Sequence, residues 1–170
     1  MTIPSPGALS GGIAIRRAER ADLLDVFRIE EASFPEPWPY SAFERFLGEP
    51  GFLVAAEGTA VLGFAVSDVT PNHGRDIGHL KDLAVRPEDR NRGIGRRLVA
   101  RSLVRMAAEG ATTAKLEVRE SNDPARSLYR EVGFDVARRL PRYYQNGEDA
   151  FLMTIDLGGG DAVVGGAVDG

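Results

Sequence analysis

Apolar and polar residues alternate along Ile13–Arg17, IAIRR, which predicts a short strand. Leu23, Val26 and Phe27 then recur at helical spacing and predict an amphipathic helix that opens at Asp22 and runs to about Ser33. The segment FPEPWPY, residues 34–40, stops it. Three prolines within it forbid regular helix and favour an ordered, irregular loop. Ser41 is placed to cap a short second helix through Leu47. Phe52–Glu57 and Ala60–Val69 are β-rich runs joined at Gly58-Thr59, a hairpin signal.

Residues 70–78, TPNHGRDIG, read as a polar loop before a strand over Gly78–Val85. RPEDRNRGIG turns into a helix over about Gly95–Glu109, apolar at Leu98, Val99, Leu103 and Met106 and stopped by Gly110. Thr113–Arg119 is a strand, and Asn122-Asp123-Pro124 starts a helix that ends at Gly133. Asp135–Pro141 and Asp149–Asp156 are two last strands around a QNG turn. The order β α α β β β α β α β β holds two β–α–β crossovers among hairpins. That predicts an α/β fold, a mixed sheet with helices on its faces. Residues 1–11 and the glycine-rich 158–170 are expected to be flexible tails around a folded unit, residues 12–157.

Composition narrows the function classes. At 170 residues the chain suits one domain, and 43% apolar with 27% charged residues is ordinary for a globular one. It has no cysteine, which excludes disulfides, thiol nucleophiles and thiolate metal sites. With His73 and His79 its only histidines, a metal centre is not expected. The net charge of −4 argues against a protein that holds nucleic acid by charge. No apolar run approaches the roughly 20 residues of a membrane span, and MTIPSPGALSGG lacks the basic-then-apolar pattern of a signal peptide. A soluble, cytoplasmic protein is expected.

The sharpest local signal is Arg90-Asn91-Arg92-Gly93-Ile94-Gly95, between a strand and a helix. Glycines there admit a ligand close to the backbone, and the first amides of the helix can hold an anion. The pattern is neither a Walker A loop nor a G-x-G-x-x-G fingerprint. The surrounding stretch HLKDLAVRPEDRNRGIGRRL resembles the acyl-CoA-binding core of the GNAT acetyltransferases, whose Q/R-x-x-G-x-G/A motif falls on Arg90, Gly93 and Gly95. LEVRESNDPARSLYREVGF, RYYQNGEDAFLM and FPEPWPY resemble the RimI-type and archaeal Ard-type N-terminal α-amino acetyltransferases. The resemblance covers about residues 13–157. It implies the GNAT fold: a central, mostly antiparallel sheet with splayed central strands and helices on both faces.

The resemblance also implies roles. Acetyl-CoA would be the cosubstrate, with no metal. Its diphosphate would lie on Arg90, Asn91, Arg92, Gly93, Ile94, Gly95 and Arg96, with Arg97 adding charge, while Arg101 and Arg105 form a solvated face. The pantetheine arm would pair along Leu83, Ala84 and Val85, near Asn122. Glu117 would be the general base, Tyr129 would protonate the leaving thiolate, and His79 would help relay the proton. Phe34, Pro35, Glu36, Tyr143 and Tyr144 would hold the acceptor, a protein or peptide N-terminus, ribosomal proteins among them. Each residue has an ordinary structural reading too: a solvated strand glutamate, a core tyrosine, a packed histidine, a helix-capping asparagine, two exposed aromatics beside a turn. A lysine side chain or a small amine is the alternative acceptor. A non-catalytic acyl-CoA-binding module is a third reading, and it would predict loss of Glu117 or Tyr129.

Overall fold

The alternation at the start of the chain becomes strand β1, Ile13–Arg17, and the amphipathic stretch after it becomes helix α1, Leu23–Ser33. The computed structural model describes residues 12–158; of the segments expected to be tails, 1–11 and 158–170, all but Gly158 lies outside the described residues. There follow α2 (Tyr40–Phe46), β2 (Phe52–Glu57), β3 (Ala60–Thr70), β4 (Asp76–Val85), α3 (Ile94–Ala108), β5 (Ala111–Arg119), α4 (Asp123–Val132), β6 (Asp135–Leu140) and β7 (Ala150–Asp156). Short 3-10 turns sit at Arg20–Asp22 and Pro87–Asp89.

The strands form one seven-stranded sheet in the order β1-β2-β3-β4-β5-β7-β6. The pair β4–β5, joined through α3, is parallel. The β1–β2, β2–β3, β5–β7 and β6–β7 pairs are antiparallel. Because β7 inserts between β5 and β6, the crossover through α4 skips one strand. The β4–β5 ladder runs from Asp76↔Ala111 to His79↔Lys115, and both strands continue past it.

Two compact units divide the chain: Asp82–Ser102 with the chain up to Val66, and Ser67–Lys81 with the chain from Leu103 onward. In the first, Leu23, Val26 and Ile29 of α1 and Phe43 of α2 pack on Phe52, Val54, Val61, Phe64 and Val66. Phe43, fully buried, meets Phe64 edge-on at 5.4 Å; its truncation to Ala costs about 3–5 kcal/mol by transfer and cavity terms. Gly63 is needed for a close approach here, since a Cβ on it would stand 2.9 Å from the Ala84 carbonyl oxygen. In the second unit, Leu80, Met106, Ala114, Leu116, Tyr129, Phe134 and Met153 are buried.

Several expectations need correction. Ser41 does not cap α2; it lies inside the helix, whose N-cap position is Pro39. The strand expected from Gly78 begins at Asp76, because Asp76 and Ile77 join the parallel ladder with Ala111 and Thr113. The same pairing starts β5 at Ala111. Residues 141–149 form the β6–β7 connection, so Pro141 and Asp149 are not strand. Arg105 is half-buried, with its Nε fully covered, while Arg101 is exposed as expected. The remaining boundaries differ by a residue, which is the ordinary fraying of element ends.

Candidate active site

In the second unit, β4 and β5 bring two titratable side chains together. His79 pairs with Lys115 across the parallel ladder. Glu117 is two residues further along β5 and shares the face of Lys115 by strand alternation. The His79 Nε2 lies 2.7 Å from Glu117 Oε1. Their side chains are 21% and 15% exposed, half-buried but reachable. Burial alone would raise the Glu117 pKa, but the His79 hydrogen bond, the His79 charge and the charges of Lys115 and Lys81 outweigh it and hold the carboxyl below its ordinary range. When neutral His79 donates Nε2–H to that carboxylate, its other ring nitrogen carries the lone pair.

The same carboxylate acts on the tyrosine pair. Burial first, then the Glu117 charge, raises the Tyr143 phenol. Burial pushes Tyr144 up to about 12 against the opposing charge of Arg119. Two adjacent strand residues would face opposite ways, yet these rings meet edge-to-face at 5.0 Å, because both lie in the β6–β7 connection. Tyr143 is 50% exposed. Arg119, which no sequence motif marks, fixes the connection. Its guanidinium lies 3.9 Å above the Tyr144 ring and donates to Asn146 Oδ1 at 3.1 Å and Glu148 Oε1 at 2.9 Å. Glu148 Oε2 in turn accepts the Ser121 N–H at 2.8 Å.

Tyr129 is buried on α4, and its ring packs edge-on against Phe134 at 5.9 Å. Asn122 caps α4 by accepting the Ala125 N–H at 3.3 Å.

The first unit carries the glycine-rich loop. Asn91 and Gly93 have φ of 65° and 78°, in the left-handed region. Nothing lies within 4 Å of where a Gly93 Cβ would be, so the loop faces open space at the start of α3. Ile94 is buried, whereas Gly95 lies within the helix. The arginines differ among themselves. Arg92 donates to Asp89 at 2.6 Å and approaches Glu57 at 3.4 Å. Arg90 donates to the Val85 carbonyl at 3.0 Å and to Ser33 Oγ at 3.1 Å, and Arg97 to the Ile13 carbonyl at 3.2 Å. Arg96 is exposed. Leu83 and Val85 are partly exposed, and Ala84 is buried.

The FPEPWPY loop is ordered by its aromatics. Trp38 stacks on Phe46 at 5.8 Å, Tyr40 meets Phe27 at 5.9 Å, and Phe34 packs on the core. Pro35 is exposed and Glu36 half-buried.

A family comparison decides the assignment: the sequence model of the acetyltransferase (GNAT) family matches residues 23–134. The chain belongs to the GNAT acetyltransferase family. Among GNAT relatives, the N-alpha-acetyltransferase RimI of Mycobacterium tuberculosis is 36% identical over 154 residues, 86% of this chain and 94% of that protein. The N-alpha-acetyltransferase of Sulfurisphaera tokodaii is 33% identical over 154 residues, 84% of this chain and 92% of that protein. The crystal structure of the ribosomal-protein-S18-alanine N-acetyltransferase from Escherichia coli superposes with a TM-score of 0.72 at 28% identity, over 85% of this chain and 94% of that one. Among the described residues no cluster of His, Asp and Glu could hold a metal ion, and no helix is long and apolar enough to cross a membrane.

Proposed function

We propose that this GNAT enzyme transfers the acetyl group of acetyl-CoA to the α-amino group of protein N-termini. The observation that carries the reading is the His79–Glu117 pair, hydrogen-bonded at 2.7 Å beside the tyrosines of the β6–β7 connection. The names of the relatives from Mycobacterium tuberculosis and Sulfurisphaera tokodaii support the same acceptor class.

The residues present fit the cosubstrate. Gly93 opens onto free space where α3 begins, and a diphosphate takes such a cradle of amides. Exposed Arg96 adds positive charge there, while Arg92, tied to Asp89, stiffens the loop more than it adds charge. The partly exposed Leu83 and Val85 offer β4 backbone to the pantetheine amides. Acetyl-CoA supplies a thioester whose carbonyl carbon accepts an amine.

The chain's own groups manage the protons. An α-amine has a pKa near 8 and is mostly protonated at neutral pH, so it needs a base before attack. His79, oriented by Glu117, takes that proton directly or through a water. As the new C–N bond forms and the C–S bond breaks, Tyr129 gives its phenolic proton to the leaving thiolate, and the second proton shed by the nitrogen returns through water to restore the phenol. Asn122 steadies the start of α4, which carries Tyr129. Tyr143 and Tyr144 hold the acceptor's backbone, and Phe34, Pro35 and Glu36 meet its first residues. Ribosomal proteins belong to the acceptor class to be tested. The test is a panel of short peptides with varied first residues, assayed with acetyl-CoA for CoA release. Release with every free N-terminus removed by blocking, at the unblocked rate, would overturn the reading.

A further inference from the structure

Two carboxyl groups meet inside the first unit without a cation. Glu30, on the buried face of α1, is 2% exposed. Its Oε2 accepts the Trp38 backbone N–H at 2.8 Å, while its Oε1 is buried without a hydrogen-bond partner. Asp82 of β4 repeats the pattern: Oδ1 accepts the Leu83 N–H at 2.9 Å, and Oδ2 is buried without a partner. Glu30 is the carboxyl whose hydrogen bonding and charge act on Asp82, and each of the two keeps one buried oxygen without a partner. Two ionised carboxylates would set lone pair against lone pair in a region of low dielectric, where like charges repel strongly. Each orphaned oxygen would also bear its full desolvation penalty. One proton removes both problems, because a carboxylic O–H on Asp82 is the donor that Glu30 Oε1 lacks.

We propose that Glu30 and Asp82 share one proton at neutral pH and act as a positioning pair, tying the Phe34–Pro39 loop to β4 at Leu83. Glu30 holds the loop through the Trp38 amide, and Asp82 holds the amide of the first strand residue assigned to the pantetheine arm. The role therefore rests on the acceptor and cosubstrate assignments made above. The direction of the Asp82 pKa agrees: burial first, then the hydrogen bond and charge of Glu30, put it well above the ordinary carboxylate range. The groups facing Asp82 are the Glu30 carboxyl from α1 and the Leu83 N–H from β4, and neighbouring Lys81 pairs with Asp68 instead. As pH rises far enough to remove the proton from Asp82, the carboxylates repel and the loop loosens.

Infrared spectroscopy of the full chain reads the proton without substrate. A protonated carboxylic acid C=O stretch that shifts in D₂O should be present at neutral pH and absent from both Asp82→Asn and Glu30→Gln. Its absence from the wild type, or its persistence in both variants, overturns the shared proton. Positioning is read from KM against pH. Between neutral and alkaline pH the wild-type KM for an N-terminal peptide should rise about tenfold more than that of Asp82→Asn, whose amide N–H replaces the proton. The KM for acetyl-CoA should keep the same pH dependence in both. Equal peptide profiles overturn the positioning role. If the wild type acetylates no peptide, the acceptor assignment fails by itself, and the infrared band with an alkaline drop in Tm absent from Asp82→Asn still judges the pair.

Discussion

His79 and Glu117 stand 2.7 Å apart at the point where the registered β4–β5 ladder ends. The contact orients an imidazole with a carboxylate held ionised, the arrangement a proton acceptor for an amine requires. Glu117→Gln should lower kcat/KM for peptide by roughly 10²–10⁴, because it removes the carboxylate that orients the proton-accepting imidazole of His79. The Kd for acetyl-CoA should stay near that of the wild type. The loss should shrink toward high pH, where the amine is already neutral. Because the Glu117 pKa is depressed, its ionised form persists through neutrality and is lost only as pH falls through that lowered value. The rise of rate toward about pH 8 therefore belongs to the amine. Steady-state rates across that rise, for wild type and variant, check this.

Arg119→Lys should raise the peptide KM and leave the acetyl-CoA KM unchanged. Lysine loses the flat stacking on Tyr144 and, as a point charge without the guanidinium plane, does not hold the ring and the two acceptors of Arg119 Nη1 together. A cation–π contact of about 0.5–2 kcal/mol translates into a change of roughly 2- to 30-fold. Initial rates with each substrate varied in turn separate the two KM values.

Gly93→Val should abolish the thermal shift produced by acetyl-CoA. A β-branched residue at φ of 78° is strained, at a cost of about 1–2 kcal/mol, and its side chain fills the space the loop leaves open. Wild type at a hundredfold excess over Kd gains about 2.7 kcal/mol from ligand. A full ligand shift in the variant would remove the diphosphate from this loop.

Asp22→Asn should destabilise at neutral pH by about 1–3 kcal/mol, the value of hydrogen bonds to a charged group. Arg16 grips both Asp22 oxygens, at 2.8 and 3.0 Å, and the Glu19 N–H adds a third bond at 2.7 Å. Burial opposes the Asp22 charge, but these partners win and lower its pKa. A depressed carboxylate gives stability above its unfolded pKa, near 3.9, that is lost as pH falls through its folded value. Melting curves of the two proteins should therefore converge in acid.

The locally encoded parts of this molecule were legible in its sequence. The alternation of IAIRR, the Gly58-Thr59 hairpin and the Asn122 cap act over a few residues, and all three stand in the structure. Glu117 and His79 were each singled out, but their contact depends on the register of two strands, which no short window carries. The start of β4 at Asp76 escaped for the same reason, since pairing with Ala111 overrides a polar, turn-like sequence. Glu30 reads as one more charge on an amphipathic helix, and Asp82 as an ordinary strand residue; only packing buries Glu30 and the Oδ2 of Asp82. Arg119 ends a strand that the sequence predicts, yet its partners Tyr144, Asn146 and Glu148 arrive from a connection whose path the sequence leaves open.

The central claim concerns where the acetyl group goes. A peptide with a free N-terminus and an internal lysine, incubated with the enzyme and acetyl-CoA, answers it by tandem mass spectrometry. The account predicts acetylation on the α-amine and none above background on a copy whose N-terminus is blocked. Acetyl found mainly on the lysine, or equal labelling of the blocked peptide, would contradict N-terminal transfer and favour a side-chain or small-amine acceptor.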